Sequence, residues 1–258
     1  MFNFKKKFGQ NFLNNSSAIQ KIVTNIELKN KNVIEIGPGA GVLSKAILEQ
    51  GAKLTCYEID FELKPILETN LASYPNKEII FKDFLKIDLN LANDYYLIAN
   101  PPYNISGEII NRFIKEEHFK IAILMFQEEL AKRVLATLGD SAYSKLSIIL
   151  DYFTIKEKIA FVNKKSFTPI PKINSIVFKL TKKENRMLTK DDELKFLEFI
   201  NACFITPRKT LNNNLLISKK YDKEILSKID FDLSRRPEEY SYKDYIKIYQ
   251  CITIHIQK

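Results

Sequence analysis

The 258-residue sequence has few of the residues that most often carry redox, metal-binding or nucleophilic chemistry. Its three cysteines, Cys56, Cys203 and Cys251, are far apart, and their spacing fits neither a disulfide framework nor a metal site. We therefore expect them to be reduced, as in a cytoplasmic protein. The two histidines, His118 and His255, have no partners nearby in the sequence. These scarcities argue against a metal site and against a Ser/His/Asp hydrolase.

Long apolar runs are also absent. None approaches the roughly 20 residues that a membrane-spanning helix needs, and residues 1–7 contain three lysines and no signal-peptide core. We therefore expect no membrane segment.

Acidic residues are outnumbered by basic ones, 31 against 40, which leaves a net charge of +9. The excess is spread along the chain in pairs and triples rather than held in a tail, and such a surface suits a polyanion such as nucleic acid. For any single pair, solvated lysines without a partner are the alternative explanation. The runs are Lys5 to Lys7, Lys132-Arg133, Lys164-Lys165, Lys182-Lys183, Arg208-Lys209, Lys219-Lys220 and Arg235-Arg236.

Between residue 17 and residue 153, segments typical of helices and strands alternate. This regular alternation predicts an α/β fold, a Rossmann-like parallel sheet with helices on both faces. A strand is the alternative for the last helix. The predicted strands are 32–36, 53–58, 78–81, 95–99 and 121–126, and the predicted helices are 17–27, 42–50, 61–71, 106–115, 128–138 and 143–153.

The pattern changes after residue 154. Residues 158–162 and 175–180 resemble a hairpin of strands, and the polar segment 181–190 has the composition of a linker. Four helical segments follow. We therefore predict two domains, 1–182 and 183–258, the second small and all-α. Its predicted helices are 192–204, 209–217, 222–229 and 242–256.

A glycine-rich turn follows the first strand, with Gly37, Gly39 and Gly41 at every second position. A dinucleotide fingerprint requires its third glycine one residue later, where this chain has Val42. The glycines let a ligand approach the backbone, and the helix that follows offers N–H groups to a carboxylate. Taken alone, the pattern also fits a simple tight turn between strand and helix.

Acidic residues end the next two strands. Glu58 suits the two hydroxyls of a ribose, and Asp83, followed by Phe84, suits the amine and the face of an adenine. An adenosine that carries an amino acid would use the turn and both acids without any pyrophosphate. S-adenosylmethionine is such a ligand. Each acid alone could be an exposed residue at a strand end.

The segment Asn100-Pro101-Pro102-Tyr103 follows the apolar strand 95–99. The prolines end the strand in a stiff loop, since neither can donate a main-chain hydrogen bond. The Asn100 amide oxygen and the Pro101 carbonyl can accept the two hydrogens of an exocyclic amine, and the Tyr103 ring can stack on a base. An Asn-Pro turn without a function is the alternative.

These motifs together resemble the ribosomal RNA adenine N6-dimethyltransferase family, in particular its small-subunit enzymes, over nearly the whole chain. The departures are Pro101, where the family usually has Leu, and Pro207, where it usually has Arg. The matching segments are KKKFGQNFL (5–13), VIEIGPGAGVLS (33–44), Glu58-Ile59-Asp60, Asp83-Phe84, NPPYNIS (100–106), QEELAKRVLA (127–136), FTPIPKINS (167–175) and RKTLNNNL (208–215).

The resemblance implies a class I S-adenosylmethionine-dependent methyltransferase fold without a metal. The catalytic and base-contacting residues that it implies are Asn100, Pro101, Tyr103 and Phe167. The cofactor-binding residues that it implies are Asn11, Leu13, Gly37, Glu58, Asp83 and Asn100.

The implied reaction transfers methyl groups from S-adenosylmethionine to N6 of two adjacent adenines near the 3′ end of small-subunit (16S) rRNA. The expected partner is an immature 30S-type subunit, and the expected form is a cytoplasmic monomer with a helical RNA-binding C-terminal domain. Three alternatives stay open: N6 methylation of large-subunit rRNA or DNA, methylation of a release-factor glutamine, and a non-catalytic assembly factor that kept the fold.

Overall fold

The computed structural model describes residues 11–206 and 208–256. Residues 5–10 of the first matching segment and Pro207 therefore lie outside the described residues. The strands are β1 (Phe12–Leu13), β2 (Asn32–Ile36), β3 (Lys53–Glu58), β4 (Lys77–Phe81), β5 (Tyr95–Ala99), β6 (Phe119–Gln127), β7 (Thr154–Val162), β8 (Phe167–Thr168) and β9 (Ser175–Lys182). The helices are α1 (Ser16–Val23), α2 (Val42–Glu49), α3 (Lys64–Asn70), α4 (Ser106–Lys115), α5 (Glu128–Leu135), α6 (Lys145–Phe153), α7 (Lys190–Cys203), α8 (Leu211–Ile217), α9 (Lys223–Ser227) and α10 (Tyr242–Ile256).

Seven strands form one sheet in the order β4-β3-β2-β5-β6-β9-β7. The first five are parallel, with β2 in register between β3 and β5. The chain therefore leaves β2 toward one side of the sheet and later returns to its other side at β5. In an open α/β sheet, the point where the strand order reverses in this way is where ligands bind, beyond the carboxyl ends of the strands.

The two strands that we expected as a hairpin extend this same sheet. β9 pairs antiparallel with β6, and β7 lies outside β9. The predicted parallel sheet is thus a mixed one with an antiparallel edge, an arrangement that is common in large α/β sheets.

Both faces of the central strands are buried, which explains why these strands read as continuous apolar runs. Val33 and Ile34 point to opposite faces, as neighbours in a strand must, and both are at most 1% exposed. Val33 belongs to a core cluster that also contains residues of α1, α2 and α3, such as Ile22, Ile47 and Leu67. Helices therefore cover the face of the sheet to which Val33 points.

A second, two-stranded sheet was not predicted. β1 and β8 pair antiparallel, with Leu13 opposite Phe167 and Phe12 opposite Thr168. Strands of two residues have no periodicity, so nothing in the local sequence identifies them. The two prolines in residues 167–171 favour a loop there instead.

The chain forms two compact units. The first contains the chain up to Ala131 and Lys156–Lys182, and the second contains Lys132–Ile155 and the chain from Lys183 onward. Residues 132–155, which we predicted in the first domain, thus group with the C-terminal helices. The functions assigned to the two domains stay predictions.

Aromatic side chains form the centre of the second unit. Phe196 and Phe199 of α7 are fully buried and contact Tyr249 of α10. Tyr152 of α6 contacts Phe196 and donates a hydrogen bond to Glu193 at 2.9 Å. Over residues 11–206 and 208–256, no helix has both the length and the apolar character needed to cross a membrane.

Candidate active site

A cavity of about 320 Å³ lies beyond the carboxyl ends of the parallel strands. Its walls come from the segments that follow β2, β3, β4 and β5, together with residues 11–13. The topology of the sheet predicts a ligand site at this place. Every cofactor residue implied by the resemblance lines it, and so do three of the four catalytic residues: Asn11, Leu13, Gly37, Glu58, Asp83, Asn100, Pro101 and Tyr103.

The glycine turn forms the floor of the cavity between β2 and α2. Gly37, Gly39 and Gly41 all have positive φ values, +68°, +60° and +81°, a conformation that other residues adopt only with strain. A Cβ atom built on Gly39 would lie 2.6 Å from the Phe12 ring, whereas at Gly37 the nearest atom lies 4.0 Å away. The backbone at Gly37 is therefore open to a ligand, and Phe12 closes over Gly39.

Glu58 is held rigidly at the end of β3. Its side chain is 5% exposed, and its carboxylate accepts the N–H groups of Gly39 at 3.2 Å and Asp60 at 2.8 Å. Burial raises the pKa of Glu58 above its usual value, while these backbone hydrogen bonds oppose the rise. The carboxylate therefore lines the cavity in a fixed orientation with lone pairs left for hydroxyl donors.

Asp83 and Phe84 follow β4 in a short 3₁₀ turn. Asp83 Oδ1 accepts the Leu85 N–H at 3.0 Å and so caps this turn. The Phe84 ring makes an edge contact with Tyr57, with 5.4 Å between the ring centroids. The Arg112 guanidinium from α4 lies 4.8 Å from the Phe84 centroid. The turn presents a carboxylate beside a fixed aromatic ring, as an adenine requires.

Glu35 is one of four polar residues, with Glu58, Asp83 and Asn100, that the sequence predicts at the carboxyl ends of strands, although it assigns Glu35 no contact with the ligand. It is 2% exposed, lines the cavity, and accepts a 2.5 Å hydrogen bond from the Ser44 hydroxyl of α2. Burial raises the pKa of Glu35 to about 7, against the lowering effect of the hydrogen bond from Ser44. Its position at the end of β2 was the available signal.

The loop after β5 presents Asn100, Pro101 and Tyr103 to the cavity. Asn100 Nδ2 donates to the Asn11 carbonyl at 3.3 Å. Because the two polar atoms of an amide point apart, this bond turns Oδ1 away from Asn11 and keeps it as an acceptor. The Tyr103 hydroxyl lies 3.4 Å from Ser175 Oγ at the start of β9, a contact that positions its ring.

Phe167 is not placed as expected for a residue that contacts the base. It does not line the cavity; it is 1% exposed and packs in the core cluster with Leu13. Pairing of β8 with β1 turns the ring into the core. Its assignment as a base-contacting residue stays a prediction, and it requires the ring to leave this position.

The residues present fit an adenosine that carries an amino acid. Two carboxylates at neighbouring strand ends, an aromatic ring and an open glycine backbone match its ribose, its base and its amino-acid part. Among the residues that the structure describes, no group of three or more His, Cys, Asp or Glu side chains is arranged to hold a metal ion.

The model of one protein family, described as ribosomal RNA adenine dimethylase, matches residues 1–253. This chain belongs to that family. Relatives and solved structures agree with the assignment. Ribosomal RNA small subunit methyltransferase A of Mycoplasmopsis pulmonis is 43% identical over 212 residues, which is 82% of this chain and 83% of the relative. The enzyme of the same name from Staphylococcus haemolyticus is 36% identical and covers 96% of this chain and 90% of its own length.

Among solved structures, a dimethyladenosine transferase from Plasmodium falciparum superposes with a TM-score of 0.78 at 29% identity. The match covers 92% of this chain and 95% of that one. The resemblance seen in the sequence is thereby confirmed. So are the class I methyltransferase fold, the enzyme class of a ribosomal RNA adenine dimethyltransferase, and S-adenosylmethionine as its cofactor.

Proposed function

We propose that this ribosomal RNA adenine dimethylase transfers methyl groups from S-adenosylmethionine to N6 of two adjacent adenines near the 3′ end of small-subunit rRNA. The observation that carries the proposal is the single cavity that gathers Glu58, Asp83 and Asn100 from three strand ends. The names of the relatives that cover most of the chain support the small subunit as the substrate.

The cofactor is held by residues that the fold has already oriented. Glu58 binds the ribose hydroxyls, Asp83 and Phe84 bind the adenine, and the backbone at Gly37 receives the amino-acid part. Asn11 and Leu13 close the cavity from the N-terminal side. When bound, the cofactor supplies an electrophilic methyl group on a sulfonium sulfur.

The target amine is activated by hydrogen bonding alone. Its nitrogen is a poor nucleophile because its lone pair is delocalised into the purine ring. Asn100 Oδ1 and the Pro101 carbonyl accept both amine hydrogens and so localise the lone pair toward the methyl donor. Tyr103 stacks on the base, a contact typically worth about 1–3 kcal/mol. The methylated nitrogen then loses its proton to water, so the reaction needs no general base.

The RNA is bound by basic residues next to this cavity and by the C-terminal helices. Residues 158–183 contain no Asp or Glu, and they include β8 and the loop that follows it. Lys164, Lys165 and Lys172 in this stretch are exposed. The enzyme acts as a cytoplasmic monomer on an immature 30S-type subunit.

Mass spectrometry of small-subunit rRNA with and without this gene product tests the proposal. We expect dimethyladenosine near the 3′ end only when the product is present. Transfer of tritium from labelled cofactor to immature small subunits, and not to large-subunit RNA, DNA or release factor, gives the same result in vitro. Label in one of those other substrates alone, or cofactor binding without any transfer, would refute it.

A further inference from the structure

The segment 11–15 contacts three parts of the site at once. Asn11, Phe12 and Leu13 line the cofactor cavity. The Asn11 carbonyl accepts the Asn100 amide, and the Phe12 ring lies over Gly39. The segment is therefore a wall of the cofactor site and a support of the catalytic loop.

The same segment is bound to residues 166–168, at the start of the loop that follows β8. Beyond the pairing of β1 with β8, the Asn14 N–H donates to the Ser166 carbonyl at 2.9 Å. Two side-chain amides add cross-links: Asn14 Nδ2 donates to Thr168 Oγ1 at 3.0 Å, and Asn15 Nδ2 donates to Ser166 Oγ at 2.9 Å. We call these contacts between residues 11–15 and 166–168 the clasp.

Both segments of the clasp are attached to the rest of the fold, one through α1 and both through the hydrophobic core. Asn15 Oδ1 also accepts the Ala18 N–H at 2.9 Å and so caps α1. Leu13 and Phe167 are buried in one core cluster with residues of the large sheet. A displacement of the cavity wall therefore has to move Phe167 and its loop, or else break the clasp.

We propose that the clasp couples cofactor binding to RNA binding, with Asn14 and Asn15 as positioning residues. This inference rests on the proposed function. A ligand that orders residues 11–13 also orders residues 166–168, because the clasp joins the two segments. RNA that then binds the exposed lysines around the loop loses less conformational entropy, so it binds more tightly. By linkage, RNA strengthens cofactor binding by the same factor.

The test compares RNA affinity with and without S-adenosylhomocysteine, the non-reactive product form of the cofactor. The probe is an unmodified transcript of small-subunit rRNA, and binding is followed by fluorescence anisotropy on the full chain. We expect S-adenosylhomocysteine to tighten RNA binding by about fivefold or more in the wild type, within the usual range of coupling between sites. A ratio near 1 in the wild type would overturn the inference.

The variant S166A/T168V removes both hydroxyl acceptors of the clasp and keeps the backbone pairing and the α1 cap. We expect its ratio to fall toward 1, with S-adenosylhomocysteine affinity in the absence of RNA within about twofold of wild type and an unchanged melting temperature. The matched control S227A/T253V removes two hydroxyls that donate to carbonyls of their own helices, and its ratio should stay at the wild-type value. A wild-type ratio in S166A/T168V would refute the role of the clasp.

Variants at exposed positions separate a loss of coupling from a loss of folding. Thr168 is exposed, so T168V alone is tolerated and should lower the ratio in part. Adding Asn14→Ala to T168V should change the ratio no further, because both substitutions remove the same bond. An additive second drop would contradict the assignment. If the wild type forms no dimethyladenosine, the proposed function fails; if it does and the ratio does not respond to these variants, only the clasp fails.

Discussion

In the proposed mechanism, Asn100 is the residue on which methyl transfer depends most. Its amide is held from behind by the Asn11 carbonyl, so that Oδ1 is the atom left to accept a hydrogen from the target amine. We expect Asn100→Ala to lower methyl transfer by orders of magnitude while cofactor binding persists. Single-turnover transfer and calorimetry on the same preparation measure the two effects. Asn111→Ala, at an exposed position of α4, is the control, and near-normal turnover of Asn100→Ala would remove this mechanism.

Glu58 shows how burial and backbone hydrogen bonds prepare one side chain for a ligand. Its carboxylate is oriented by the Gly39 and Asp60 N–H groups before any ligand arrives. Glu58→Gln should weaken S-adenosylhomocysteine affinity by tenfold or more, because hydrogen bonds to a charged acceptor are worth about 1.5–3 kcal/mol. Isothermal calorimetry measures this. Glu78→Gln, exposed on neighbouring β4, should bind as wild type, and unchanged affinity in Glu58→Gln would contradict the ribose assignment.

The turn between β2 and α2 is the element that most constrains the cofactor site. Gly39 combines a positive φ with the Phe12 ring, which occupies the space a Cβ would need. We expect Gly39→Ala to lower the free energy of unfolding by about 1–2 kcal/mol and to weaken cofactor affinity by displacing Phe12.

Gly107 is the matched control for Gly39. It lies in α4, and a Cβ there would have no neighbour within 4 Å. Gly107→Ala should raise the free energy of unfolding by roughly 0.5–1 kcal/mol through the usual helix preference for alanine, with cofactor affinity unchanged. Thermal unfolding and calorimetry of both variants check the pair. Equal effects of the two substitutions would show that the turn imposes no special constraint.

Glu35, at the end of β2, makes the free energy of unfolding depend on pH. Glu35 has a pKa of about 7 in the folded chain, raised from an ordinary 4.5 by burial. Between these values the unfolded chain has released a proton that the folded chain retains. Stability from this group is therefore complete below pH 4.5 and is lost as the pH rises to about 7, by up to about 1.4 kcal/mol per pH unit.

Glu35→Gln isolates this effect, because Gln can still accept the Ser44 hydroxyl but does not ionise. We expect the variant to gain stability relative to wild type as the pH rises from 4.5 to 7, and the difference to level off above that. Urea unfolding of both proteins across this range provides the measurement. The other ionisable groups contribute equally to the pH dependence of both proteins, so the difference between them reports Glu35 alone. A difference that is flat with pH would show that Glu35 ionises in the folded chain as it does in water.

At the scale of the whole molecule, the proposed function requires basic side chains to bind the phosphates of the RNA. Substituting Lys164, Lys165 and Lys172 together by Ala should weaken RNA binding at every salt concentration. Each lost phosphate contact lowers the slope of log affinity against log salt by about 0.7–0.9, so we expect the slope to fall by about 2–3. The same titration on the wild type should show a steep dependence.

The control variant also loses three lysines, but at the amino ends of the strands, on the side of the sheet opposite the cavity. Lys29 and Lys31 precede β2, and Lys53 begins β3, so all three are at the ends of the strands opposite the cavity. Replacing these three by Ala should leave the salt slope unchanged. If both triple variants lose equal slope, the RNA does not bind preferentially beside the cavity.

Strands and helices with a clear apolar pattern were predicted from the sequence to within a few residues. β2, β3 and β5 begin and end as expected, because strands buried on both faces need apolar side chains at every position. The β1–β8 pair was missed, since two residues carry no pattern and their partner is more than 150 residues away. The burial of Phe167 follows from that pairing and was missed with it.

The local sequence by itself determined the family, the order of helices and strands, and the chemical groups at each strand end. These features depend on interactions within a few residues or on motifs whose residue types suit one ligand. Only the tertiary structure decided how the groups meet: that Asn11 orients Asn100, that Glu35 is buried with a pKa near 7, and that Phe167 faces the core. Hydrogen bonding and desolvation depend on neighbours distant in the chain, and those neighbours are known only once the chain has folded.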